Sequence, residues 1–416
     1  MSSFSIALSG LTASNSDLDV TANNIANANT VGFKSSVAEF ADVYAAGAVN
    51  LNTSSIGEGV RLDNTAQQFT QGNITTTGSN LDLAISGDGF FTLADPTNGI
   101  VYTRNGQFSE DKNGNVVTAT GQALQVYPPN TTGGFNTGAL TDLNLQTAQS
   151  APLATSTGTA ILNLPADSTV LPDAATADPG GTFVPTDQNS YNQSTSTTVY
   201  DSLGNAYPAT FYFTQTAATG VWDVNMTVNG QTAGPAQQLT FSPSGAIVGS
   251  GSLSFNGFAP TDGATSPQAM TFNFAQSTQY GGSFGVTSIT QNGFATGQLS
   301  TVSIDPTGVV SAVYTNGRST ELGQLALANF PDPQGLKQLG DTNWAETFTS
   351  GTAVSGTAST AGFGSIQSGA LESSNVDLTT ELVNMITAQR AFQANAQVIT
   401  TANQLSQTII NINGAG

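Results

Sequence analysis

The chain has 416 residues, of which 27 are Asp or Glu and only 7 are Lys or Arg, and it contains neither His nor Cys. A formal charge of −20 leaves no basic stripe to replace phosphate counterions, which argues against nucleic acid, and anionic membrane is disfavoured too. Without His and Cys there is no Ser-His-Asp triad, no thiol nucleophile, no disulfide and no His-based metal site, so no catalysis, cofactor or metal is expected.

The opening residues, MSSFSIALSGLTASNSD, have no basic region and no long apolar core, so a cleaved secretory signal is not expected. No run approaches the 18 apolar residues of a membrane span, so membrane insertion is not expected either. Phe4, Leu11, Leu18 and Ile25 fall seven apart, with Leu8, Asn15, Ala22 and Asn29 in the companion register, and predict a helix from about Ser3 to Asn29. Thr30-Val31-Gly32 ends it. Residues 31–71 read as an irregular connecting segment.

From Asn73 short apolar runs alternate with turn residues: Leu81 to Ile85, Phe90 to Leu93, Val101 to Thr103, Val116 to Thr118 and Leu124 to Tyr127. Asn-Gly at 98, 105 and 113 predicts tight hairpin turns, because both residues tolerate positive φ. Asp82 and Asp88 are the nearest thing to a catalytic carboxylate pair, and surface turns explain them better. Asp111-Lys112-Asn113-Gly114-Asn115 resembles a calcium loop only superficially, since Gly falls at the fourth position and no Glu closes the loop.

Pro165, Pro172, Pro179 and Pro185 punctuate a Thr, Gly and Asp-rich stretch, 146–192, read as loops and edge strands. A second strand set follows: Ser196 to Tyr200, Pro208 to Thr214, Val221 to Val228, Gln238 to Phe241, Leu253 to Phe255 and Met270 to Phe274. A third comprises Gln298 to Ile304, Val309 to Tyr314 and Glu321 to Ala328, with turns at Asn292-Gly293 and Asn316-Gly317. The heptad then resumes at Leu371, Leu378, Met385, Phe392 and Ile399, with Leu382, Gln389, Ala396, Asn403 and Ile410 as companions. Acidic residues from Glu372 to Asp377 suit the positive end of this helix.

The two helices are rods of about 40 and 60 Å, too long for the inside of a compact domain. Half-polar seams make them weak alone, so packing in a multi-subunit homo-oligomer is expected; an intramolecular helical hairpin is the alternative. The predicted fold is mainly β with α-helical coiled-coil termini, an elongated multidomain subunit with nested, discontinuous β domains. The expected domains are 1–30 with 370–416 as the helical coiled coil and 31–71 with 355–369 as the connector. Residues 72–145 with 285–354 form a discontinuous β domain, and 146–284 an inserted outer β domain.

The segment ANNIANANTVGFK, containing Asn23, Asn24, Ala26, Asn27, Thr30, Gly32, Phe33 and Lys34, resembles the N-terminal signature of the bacterial flagellar rod and hook family. Three further stretches are similar to the same family: GDGFF at 87–91, YTRNGQFSEDKNGNVV at 102–117 and LVNMITAQRAFQANAQVITTANQL at 382–405. TTVYDSLGNAYPATFYF at 197–213, the insert around it, and LANFPDPQGLKQLGDTNWAETFTSG at 327–351 resemble hook members rather than the shorter rod members.

The resemblance implies a structural, non-enzymatic subunit of a curved hollow tube that acts as a universal joint between rod and filament, with terminal helices lining the tube. It implies packing among Phe4, Leu8, Leu11, Leu18, Ile25, Leu371, Leu378, Leu382, Met385, Phe392, Ile399 and Ile410 of the same and neighbouring copies. The implied partners are further copies in a helical tubular polymer, the distal rod protein, the hook cap protein, the hook-filament junction protein and the flagellar type III export apparatus. The implied location is the extracellular flagellar hook, reached by export in unfolded form without signal cleavage. FSIAL, from Phe4 to Leu8, is similar to a short export-gate pattern, although packing explains Phe4 and Leu8 as well. A distal rod protein, or in a different class a β-rich surface adhesin or fibre, is the alternative.

Overall fold

The computed structural model describes residues 2–43, 57–130, 132–145, 149–171 and 183–413, with side chains from Phe4 to Thr408. Helices α1 (Ser2–Ala26) and α2 (Leu378–Asn413) are the long helices of the described chain, and most of the rest is strand. The predicted fold class, β with helical termini, is the observed one. Two compact units form: Met1–Gln146 with Thr301–Ala312 and Ser319–Gly416, and Thr147–Ser300 with Val313–Arg318.

In the first unit, α1 ends where Asn27 N–H bonds the Asn23 carbonyl and Gly32 takes a φ of +68°. Where the connector is described it is not irregular: Ser36–Asp42 and Val60–Gln67 pair antiparallel, with a register shift between Glu39 and Phe40. Two short ladders then join the chain's distant ends, Ile74–Thr76 with Ala370–Glu372 and Leu83–Ser86 with Ser365–Ser368. Leu371 therefore sits in a strand rather than at the head of the C-terminal helix. That helix begins at Leu378, capped by Asp377, whose Oδ1 accepts from the N–H groups of Thr379 (2.8 Å) and Thr380 (3.0 Å). Glu372, expected near the helix dipole, lies six positions before the helix begins.

The β body of this unit packs Leu83, Ile85, Phe91, Leu93, Leu124 and Val126 into one core. Beside it Phe90, Tyr102, Phe330 and Trp344 meet edge-on with centroids 4.8 to 5.9 Å apart. The Asn98-Gly99 turn joins Phe90–Asp95 to Gly99–Thr103, and Asn113-Gly114 lies in the loop joining Ser109–Glu110 to Val116–Val117, both with Gly at positive φ. Asn105-Gly106 is no hairpin. Gly106 is where the backbone crosses Leu83 too closely for any Cβ, and the Leu83 N–H bonds its carbonyl at 2.9 Å. Asp111 is a turn former, its Oδ1 accepting from Asn113 N–H (2.7 Å) and Asn115 N–H (2.8 Å).

The second unit holds two five-stranded sheets sharing one core that includes Phe211, Phe213, Trp222, Met226, Phe255, Met270, Phe272 and Phe274, all fully buried. Alternation along Ala206–Gln215 puts Phe211 and Phe213 inward, and Val221–Val228 turns Trp222, Val224 and Met226 inward while its last five residues are all buried. The expectation of loops and edge strands across 146–192 fails at Thr157–Pro165. That strand lies inside its sheet, parallel to Gln268–Asn273 and Thr278–Tyr280 and antiparallel to Gly285–Gln291. Its Ala160, Leu162 and Leu164 are core, and Pro165 is tolerated because it ends the strand. Pro172 and Pro179 lie outside the described residues. Because Gly285–Gln291 pairs here, the insert runs to Ser300 rather than to 284.

Candidate assembly surface

Helices α1 and α2 pack antiparallel: Asn24 Nδ2 donates to Glu381 Oε1 at 3.1 Å near one end, and Gly10 faces Asn395 near the other. The contact runs along Ala7, Ser14 and Thr21, all buried, with Gly10 between, against Ala388 at 2% exposure and half-buried Met385, Phe392, Asn395 and Ile399. A methyl group on Gly10 would stand 2.9 Å from the Asn395 amide, so the helices approach as closely as small residues permit.

On α2 the predicted Met385, Phe392 and Ile399 are in this seam, whereas on α1 the seam runs one step off the predicted companion register. Leu11, Leu18 and Ile25 are half-buried along its edge, but the companions Leu8, Asn15, Ala22 and Asn29 all face outward. On α2, Leu378, Leu382, Gln389 and Asn403 are exposed and Ala396 is half-buried. The side chain of Ile410 lies outside the described residues. The physical reason is size: small side chains on α1, with Gly10 among them, let the backbones approach and make room for Met385, Phe392 and Ile399 of α2, while Leu8 and Leu382 stay outside. Phe4 (44% exposed), Leu8 (48%), Leu382 (50%), Val383 and Ile386 are thus apolar surface that the described chain does not cover.

Below the hairpin the signature residues form its anchor. Asn24 is buried; besides Glu381 it donates to the Ser36 carbonyl (2.8 Å) and accepts from Ser36 N–H (2.9 Å), fixing the strand that follows. Asn27 Nδ2 donates to the Asn23 carbonyl, and Thr30 Oγ1 donates to Asn27 Oδ1. Asn23 and Ala26 are exposed, whereas Phe33 is buried. Gly32 N–H bonds the Glu372 carbonyl at 2.8 Å, and a Cβ there would lie 2.5 Å from Asn105 N.

Lys34 is fully buried and donates to the Thr70 carbonyl (2.8 Å) and to Glu372 Oε1 (2.6 Å). Arg104, also buried, reaches Glu372 Oε2 at 3.3 Å and donates to the Gly87 carbonyl. Burial pushes both bases down from their ordinary pKa values, and the Glu372 carboxylate opposes this. Gly72 N–H is a further donor to Glu372 Oε1. Sequence reading missed Glu372 as the hub; the signal was that a chain this poor in bases spends two of its seven beside glycine-rich motifs.

Profiles of known families match the chain in order. They are flagella basal body rod protein at residues 4–34, the flagellar hook protein FlgE/F/G D1 domain at 84–177, the flagellar basal body protein FlaE D2 domain at 163–294 and the flagellar basal body rod FlgEFG protein C-terminal region at 367–412. The flagellar hook protein FlgE of Escherichia coli K12 is 38% identical, the alignment covering 98% of this chain and 99% of that one. The chain belongs to the flagellar hook protein family. The Salmonella typhimurium LT2 relative of the same name is 39% identical over 99% of this chain and 100% of its own, and that of Borreliella burgdorferi 31% identical over 99% of each. The crystal structure of Helicobacter pylori flagellar hook protein FlgE2 aligns with a TM-score of 0.52 over 72% of this hook-family chain and 100% of that chain; at 13% identity this speaks to the fold alone.

Proposed function

We propose that this chain is the structural subunit of a bacterial flagellar hook, self-assembling into a curved hollow tube that carries motor torque from rod to filament. The observation that carries the reading is the apolar surface left on the α1 and α2 hairpin of a hook-family chain. Phe4, Leu8, Leu382, Val383 and Ile386 face solvent although the same two helices already pack together. Each such side chain is about half covered already, so burying the remainder is worth roughly half of the 1.5–3 kcal/mol of full burial, which neighbouring copies supply when they stack. A head-to-tail contact that does not close builds a filament rather than a dimer.

In this reading the distal rod protein, the hook cap protein and the hook-filament junction protein meet the polymer at its ends. The chain reaches the cell exterior unfolded through the flagellar type III apparatus, with Phe4 and Leu8 as the pattern recognised there. Its role is non-enzymatic. Electron microscopy of hook-basal bodies from a strain deleted for this gene alone tests it. Rods without hooks, restored by complementation, support the reading, and normal hooks overturn it.

A further inference from the structure

Resting on that assembly reading, we propose that Arg390 of one copy pairs with Asp19 of the next, and that this contact sets the axial register between adjacent hairpins. Arg390 is the sole base of α2, whose one acid, Glu381, lies more than two turns away and accepts from Asn24, and the acids of α1 are Asp17 and Asp19, so Arg390 is locally complementary to that stretch of α1. Neither Arg390 nor Asp19 enters any of the ion pairs among the described residues, which are Lys34–Glu372, Arg61–Asp63 and Arg104–Glu372. Both are exposed, and among the described residues Asp19 accepts a side-chain hydrogen bond only from the Asn15 amide, at 3.3 Å.

Placement supports the pairing. At successive four-residue steps Leu382, Ile386 and Arg390 share the outward face of α2, and Phe4, Leu8, Asn15 and Asp19 share an outward stripe of α1. Within one copy Gly10 stands opposite Asn395 and Asn24 opposite Glu381, so Arg390 is level with Asn15, four residues short of Asp19. A like-oriented neighbour displaced by about 6 Å along the helices closes that gap. The same displacement brings the exposed Phe4 alongside the exposed Leu405. An axial offset repeated from copy to copy gives an open helical array.

The test uses the full-length chain carrying Arg390→Asp, Asp19→Arg, or both, in the deletion strain and as purified protein. Both single variants are expected to be secreted at the level of the unaltered chain. Their hook numbers fall, and the critical concentration for sedimentable polymer rises about tenfold, while the double swap recovers most of the loss. Full assembly by Arg390→Asp overturns the pairing, as does a double swap no better than the single variants. Rescue of Arg390→Asp by Asp17→Arg instead moves the contact off Asp19 and also overturns it. Normal hooks in the deletion strain defeat the assembly role in the cell, and sedimentation of the purified variants then decides the pairing by itself.

Discussion

Lys34 Nζ lies 2.6 Å from Glu372 Oε1 with both side chains wholly out of water, although 338 residues separate them in the chain. With Arg104 on the other carboxylate oxygen, the segment after α1, the β body and the strand before α2 converge on one acid. A buried carboxylate between two bases holds together only while all three are present.

Glu372→Gln should therefore destabilise the first unit by about 3–5 kcal/mol, because it strands two buried cations. Urea unfolding of the full chain followed by the fluorescence of Trp344, which lies in that unit, measures this. A shift of the midpoint no larger than for a surface substitution would remove the clasp from the account.

Two glycines should respond to Ala by different routes. Gly99 has a φ of +76° and open space around it, so Gly99→Ala costs about 1 kcal/mol of backbone strain. Gly106 has no positive φ but touches the Leu83 backbone, so Gly106→Ala must push its loop off the Leu83–Ser86 strand and should cost more. Equal losses in paired thermal melts would refute the distinction.

Met385→Asp places a charge in the α1 and α2 seam, as does Leu18→Asp at its edge. Both β units are expected to stay folded by near-ultraviolet circular dichroism, while helicity falls and no hooks form. Motile cells with normal hooks would show that the seam is dispensable.

In the second unit, Asp262 has a pKa lowered to about 2, chiefly by the Ala264 N–H and then by Asp201 and the Tyr207 hydroxyl at 2.9 Å. A depressed carboxylate stabilises the fold above its ordinary pKa near 3.8 and loses that contribution as pH falls towards 2. Melting temperatures of the unaltered chain should drop more steeply between pH 4 and pH 2 than those of Asp262→Asn, about these bounds. Parallel curves would assign the acid sensitivity elsewhere.

The two terminal helices, the Asn-Gly turns at 98 and 113 and the alternation in Ala206–Gln215 were legible because each is a local signal carried within one element or turn. Asn105-Gly106 misled because the same dipeptide serves a turn or a close crossing, and only the presence of Leu83 opposite decides between them. Thr157–Pro165 was hidden by its flanking prolines. Its central place depends on Gln268–Asn273 and Gly285–Gln291, more than a hundred residues away.

By itself the sequence determined the β body, the helical ends, the chemistry that an absence of His and Cys forecloses, and the motifs shared with the hook family. The tertiary structure decided which helix face turns inward: Ala7, Ser14 and Ala388 are buried and Leu8 and Leu382 are left outside, because close approach of the α1 backbone rewards small side chains over bulky ones. It also decided that Glu372 is a buried hub. A carboxylate's environment is set by what lies beside it in space, and Lys34, Gly72 and Arg104 reach it from three distant stretches of the chain.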